Sequence, residues 1–216
     1  AWTIDEPGGI LAITTDTGDN DNACLLAGRF QPGSAGLGGG GVETEARFKH
    51  NTTGTVQLAI FAGFSETMAL DTPVMPAEFA TATMTYNGTG GMVGAMIDPD
   101  ATTDDWRSVA GDAAAATGGN SNGTRANETI TADEWYLVRT EVDQSGTARV
   151  YVGHKGEGLD IIQVTDAVQG NSFTGAVVTP TDQFYAVLMC ENRSAAAKIM
   201  EVDYVMARGQ RDWRNA

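Results

Sequence analysis

The 216-residue sequence has little of what most reaction chemistry needs. Its two histidines, His50 and His154, fall at the ends of predicted strands with no serine or cysteine nucleophile motif beside them, which argues against a histidine-centred triad. Two cysteines, Cys24 and Cys190, are too few for a disulfide framework and lack CxxC or Cys/His metal spacing, so both read as separate buried thiols. No apolar run approaches the length of a membrane span, and no charged-then-apolar leader precedes Trp2, so neither membrane insertion nor secretion is expected. Walker and dinucleotide glycine motifs are missing, because GLGGGG at 36–41 leads into a strand pattern and not a helix. Basic residues are scarce as well. Thirteen Lys and Arg against 28 Asp and Glu give a formal charge of -15, a field that repels nucleic acid and anionic membranes.

Glycine is what the chain has in excess: 27 of 216 positions, against a usual ~7%, spread between short apolar runs without a fixed period. This is the composition of a turn-rich β protein, and the length suits one domain spanning 1–216. Val42 to His50 alternates most clearly, with Val42, Thr44, Ala46 and Phe48 on one face and Glu43, Glu45, Arg47 and Lys49 on the other. Val56 to Phe64 is apolar on both faces, as a central strand covered on both sides would be. Trp135 to Asp143 and Thr147 to Val152 form an antiparallel hairpin closed by Gln144-Ser145-Gly146, with Val138, Thr140 and Val142 facing Ala148, Val150 and Val152. A second hairpin is expected between Thr81–Tyr86 and Met92–Ile97 across the glycine-rich turn 87–91, followed by a strand at Trp106–Ala110. Shorter strands are read at Trp2–Ile4, Gly9–Thr14, Ala23–Ala27 and Gln163–Val168, and longer ones at Phe184–Cys190 and Lys198–Arg208. Ser65 to Phe79 reads as a loop across the sheet, and Gly111 to Thr131 as the longest excursion. About a dozen strands without an amphipathic helix predict two packed antiparallel sheets, an all-β sandwich.

Acidic turns supply the candidates for chemistry. Asp98, Asp100 and Asp104, with Asp105, lie within eight residues after a strand, and Asp16, Asp19 and Asp21 cluster near the start. Hard cations need converging oxygens, so calcium is the candidate ion; without EF-hand spacing, these aspartates read first as solvated turn caps. Glu201 and Asp203 project from one strand face, as the paired carboxylates of retaining glycosidases do, but Val205 and Met206 stand where the acid/base group would be needed. The charge is also uneven: Arg193 to Ala216 holds five basic residues against three acidic, +2, which leaves the remainder at -17.

The segments AWTIDEPGGILAITT, VETEARFKH, IFAGF, WYLVRTEVDQSGTARVYVG and IMEVDYVMAR, in this order, resemble the concanavalin A-like, laminin-G-like jelly rolls. More narrowly, IFAGFSE, DPDATTDDWRSVA and the WYLVRTEVDQSGTARVYV hairpin resemble segments of virion structural proteins of tailed bacteriophages, over most of 42–208. The resemblance implies a structural capsid decoration or cement protein and no enzyme. It would be assembled in the host cytoplasm onto the capsid exterior and bind the major capsid protein and neighbouring copies of itself as a homo-dimer or homo-trimer. On that reading the contact arms are 1–8 and 209–216, with Trp2, Arg208, Arg211, Trp213 and Arg214 as anchors. The alternatives are a head or tail fibre component, or a carbohydrate-binding, lectin-like module with Tyr86, Trp106 or Trp135 as stacking platforms.

Overall fold

The computed structural model describes residues 2–3, 9–33, 41–50, 57–68, 73–81, 83–87, 90–111, 124–154, 162–163, 173 and 176–209, with backbone alone for 2–3, 124–129, 154 and 162–163. The strands are β1 (Trp2–Thr3), β2 (Ile10–Thr14), β3 (Asn22–Phe30), β4 (Val42–His50), β5 (Leu58–Ser65), β6 (Ala77–Ala80), β7 (Thr83–Tyr86), β8 (Met92–Ile97), β9 (Asp105–Gly111), β10 (Thr124–Thr129), β11 (Tyr136–Val142), β12 (Ala148–His154), β13 (Ile162–Gln163), β14 (Phe184–Asn192) and β15 (Ile199–Gly209). Two antiparallel sheets pack face to face: seven strands in the order β1-β2-β15-β4-β11-β12-β13, and six in the order β10-β9-β8-β5-β14-β3. No helix occurs among the described residues. The all-β reading holds.

The alternating strand behaves as its pattern requires. Every second residue of β4, from Val42 to His50, is buried, and the residues between are half-exposed. The hairpin of β11 and β12 is antiparallel as expected and brings the two facing sets together, with Val142 opposite Ala148, Thr140 opposite Val150 and Val138 opposite Val152. β5 is buried at every position because it has a core on each side. Leu58, Ile60, Ala62 and Phe64 enter the main core between the sheets; Ala59 and Phe61 enter a second apolar layer outside the six-stranded sheet.

That second layer corrects the expected hairpin of Thr81–Tyr86 with Met92–Ile97. β7 pairs with β6, while β8 lies between β5 and β9. The reason is burial: β8 is apolar on both faces and needs a partner on each side, whereas β7 has only Met84 to bury. The β6–β7 ribbon turns at Thr81, whose φ of 59° is held by its N–H to the Asp100 carbonyl and its carbonyl to the Thr102 N–H. It lays Ala77, Phe79 and Met84 over Met92, Met96 and Met189. Ser65–Phe79 is thus only partly loop, since β6 begins within it. Likewise the expected excursion 111–131 contains β10, which pairs with β9.

Gly63 and Gly94 face each other at the centre of the six-stranded sheet. A Cβ on either would meet the partner strand's backbone, at the Val93 or Ala62 carbonyl, well inside van der Waals contact. Cys24 and Cys190 are free and point into different apolar layers, which excludes a bridge between them. Burial pushes the Cys190 thiol up to about 12.

Candidate functional site

The outer face of the seven-stranded sheet gathers side chains from β4, β11, β12 and β15. Cross-strand register places Arg208 beside Glu43, Glu43 beside Glu141, and Glu141 beside Arg149; the next rows bring Glu45, Arg139 and Tyr151 together, then Tyr204 and Arg47, then Glu201 and Lys49. Five cations (Arg47, Lys49, Arg139, Arg149, Arg208) therefore meet five carboxylates (Glu43, Glu45, Glu141, Glu201, Asp203) on this face, which is neutral among the described side chains of β4, β11, β12 and β15 in a chain whose formal charge is -15.

Each carboxylate of this face has a partner. Arg208 Nη2 lies 2.6 Å from Glu43 Oε2, Arg47 Nη1 lies 2.6 Å from Asp203 Oδ2, and Lys49 Nζ lies 3.0 Å from Glu201 Oε2. Arg139 Nε is 3.2 Å from Glu141 Oε1. The Tyr204 hydroxyl donates to Glu45 Oε1 at 2.5 Å, and burial together with that bond raises its pKa, so it stays protonated. The expected pair Glu201 and Asp203 is real as a pair on the same strand, but a bulge between Val202 and Tyr204 sets Asp203 against Arg47. Neither oxygen pair is presented as a free nucleophile.

Trp135 stands half-buried just before β11, with the Arg47 guanidinium 4.7 Å and the Lys49 ammonium 5.3 Å from its ring centroid. Tyr151 carries Arg139 at 4.7 Å in the same manner. At the far end of the face, Gly41, Glu43, Glu141, Asp143, Arg208 and Gly209 line a cleft of about 470 Å³. Arg208, expected as a partner anchor, forms part of that wall.

Other sequence candidates fall elsewhere. Trp106 is fully buried between Phe48 and Tyr136, with ring centroids 6.0 and 5.9 Å away, so it is a core residue and no stacking platform. Tyr86 is half-buried against the second apolar layer and packs over Gly111. Trp2 lies in β1 opposite Leu11, and its side chain is outside the described residues, as are Arg211, Trp213 and Arg214.

Asp98 is no calcium ligand in waiting. It is buried and accepts from Arg193 Nη2 at 2.8 Å, Arg193 Nε at 3.2 Å, the Phe79 N–H at 2.9 Å and the Asp100 N–H at 3.1 Å. Arg193 also pairs with buried Glu191 and lies 3.6 Å from Asp100, so Asp98 is not the solvated turn cap of the first reading, and a guanidinium stands where the candidate ion would sit. Asp104 lies outside this pairing, its carboxyl raised by burial and by Asp105. No group of three ligating side chains able to hold a metal occurs among the described residues. Arg193 itself, counted in the sequence as part of a cationic end, is an internal strut. Nothing local marks its contact with Asp98, which spans 95 positions.

No family model matches the chain, and no curated protein matches it. Solved structures do. Peanut lectin is similar with a TM-score of 0.57 and 13% identity, over 97% of this chain and 88% of the lectin. A protein of unknown function from Shewanella oneidensis MR-1 gives 0.55 and 14%, over 100% of this chain and 77% of that one. A family 7 alginate lyase gives 0.50 and 12%, over 95% and 82%. At these identities the likeness is one of fold, and the fold of this chain is a concanavalin A-like, lectin-like jelly-roll sandwich.

Proposed function

We propose that this chain is a non-catalytic structural protein of a tailed-phage virion, a decoration or cement protein that holds to the major capsid protein on the outside of the head. One observation carries the adhesive half of the reading: the carboxylates of the outer face are all engaged by cations or a tyrosine hydroxyl, so the face offers paired charges and aromatic edges to a partner and no proton donor beside a nucleophile. The virion half is supported by the IFAGFSE, DPDATTDDWRSVA and WYLVRTEVDQSGTARVYV segments and their resemblance to phage structural proteins. Arg208, at the cleft wall, and the segment 209–216 are the proposed anchor. The test is binding of the purified chain to phage heads made without it. Arg208→Glu and deletion of 210–216 should each weaken binding at least tenfold and lower the temperature at which decorated heads rupture. Undiminished binding by both would remove this anchor, and the absence of the chain from purified virions would remove the reading.

A glycan-binding module is the second reading, favoured by Trp135, a half-buried indole flanked by Arg47 and Lys49 on a lectin-like fold. A glycan array separates the two. A cement protein gives no signal, whereas a lectin binds and loses at least tenfold on Trp135→Ala.

A further inference from the structure

The methionines of this chain are not scattered. Of eight, Met75, Met84, Met92, Met96 and Met189 are buried together in the apolar layer outside the six-stranded sheet, and Met68 packs against it. The main core between the sheets holds Met200 as its one methionine among the described residues and is otherwise built from rings such as Phe48, Trp106 and Tyr136 and from branched aliphatics. Unbranched thioether side chains re-pack at little cost, so they suit a contact that parts and re-forms better than one that must fix a single geometry.

That contact lies between the β6–β7 ribbon and the sheet beneath it. The ribbon is a separate two-stranded sheet, with no ladder to the strands below, and Ala77, Phe79 and Met84 hold it there by packing. At its base the Asn87 N–H donates to the Pro76 carbonyl at 3.0 Å and the Asn87 carboxamide to Glu78 Oε1 at 2.7 Å, bonds that stay within the ribbon. The ties to the body gather at its tip. The Thr81 N–H donates to the Asp100 carbonyl at 2.9 Å, the Thr81 carbonyl accepts from the Thr102 N–H at 2.8 Å, and the Phe79 N–H reaches Asp98 Oδ2 at 2.9 Å. Buried Arg193 fixes that carboxylate through Nη2 at 2.8 Å, and the Arg107 guanidinium lies 5.0 Å from the Phe79 ring centroid. Thr81 carries strain as well. A φ of 59° is unusual for a β-branched residue, and such strain persists where the surroundings impose it and collects in segments that switch.

A hairpin with its own hydrogen bonds, joined to the chain at one end and tied to the body at the other, can open as one unit. We propose that the β6–β7 ribbon is a latched flap: when the contacts of Thr81 and Asp98 at its tip let go, it swings from Pro76 and Asn87 and uncovers Phe61, Met92, Met96, Val109, Val187 and Met189 while both large sheets stay paired. Opening breaks no ladder bond of the six-stranded sheet. This holds whether the module grips a capsid or a glycan, and its test is separate from both.

Dilute hydrogen peroxide on the full chain supplies the test, since each oxidation transfers one oxygen atom to a thioether, releases water and needs an open path to the sulfur. At low conversion exposed Met206 should react first. Met92, Met96 and Met189 should follow at one common rate, about tenfold or more above that of Met200, which only global unfolding uncovers. Hydrogen exchange should show the amides of β6 and β7 opening together and faster than those of β5 and β8. Asp98→Asn turns one accepting oxygen into a donor and should raise the rate at these three methionines about tenfold relative to Met200. Thr81→Asn, which accepts a positive φ more readily, should lower it severalfold. Three methionines as slow as Met200, or ribbon amides as slow as those of β5, overturn the proposal. Fast oxidation beneath a ribbon whose amides stay slow overturns it too, because peroxide then enters without opening, as does a rate indifferent to both substitutions. Should Asp98→Asn fail to fold, Thr81→Asn and the exchange pattern of the wild-type chain decide.

Discussion

Arg193 shows how much one side chain can hold. Its side chain is 5% exposed and binds Asp98 and Glu191, themselves 0% and 2% exposed, and Asp98 in turn accepts the Phe79 N–H that ties the β6–β7 ribbon to the sheet. Removing the guanidinium leaves two carboxylates buried without their cation, so Arg193→Met should cost about 3–5 kcal/mol in urea unfolding. Replacing the whole group with apolar residues should cost far less. His50, buried at the end of β4, is a pH-sensitive residue. Burial lowers its pKa below 6.5, against the opposing effect of Asp133, so the unfolded chain binds this proton more tightly than the folded one. Its contribution to stability is present above pH 6.5 and is lost as pH falls through the depressed value. The drop in unfolding free energy from pH 8 to pH 5.5 should be smaller in His50→Gln than in the wild type.

At the scale of elements, the six-stranded sheet depends on the close approach of β5 and β8. Gly63 and Gly94 leave no side chain between the strands, and a Cβ on Gly63 would strike the Val93 carbonyl, which is backbone and cannot swing aside. Gly63→Ala should destabilise by about 1–3 kcal/mol in chemical unfolding, as overpacking a tight core does. The β11–β12 turn depends on Asp143, whose Oδ1 accepts from the Ser145 N–H at 2.8 Å and the Thr147 N–H at 3.0 Å. Burial raises the pKa of this carboxyl, but the hydrogen bond from the Ser145 hydroxyl and those from the two N–H groups outweigh it and hold the value below 3.8, so its anchoring weakens only at strongly acidic pH.

For the whole molecule the dominant long-range force is self-repulsion. A formal charge of -15 disfavours any compact state, and salt screens it. Raising sodium chloride from 10 mM to 0.5 M should lift the thermal midpoint by on the order of 2–4 °C, corresponding to roughly 1 kcal/mol for a chain of this size. The outer face of the seven-stranded sheet is the exception to the field, because its cations and carboxylates cancel in register. An acidic partner meets the least resistance there.

The sequence by itself determined the strands whose pattern is local. β4 alternates because one face is wet, β5 does not because both faces are dry, and the β11–β12 register follows from a short turn between matched apolar positions. It left Trp106 and Trp135 looking alike. Only the packing of two sheets made the first a core ring and the second a half-buried indole between cations. The tertiary structure also decided that β7 turns back to β6, and that Asp98 meets Arg193 across 95 positions and not a metal ion. The physical reason is common to these cases: periodicity reports which side of a strand is buried, whereas the identity of the neighbour depends on where distant strands come to lie.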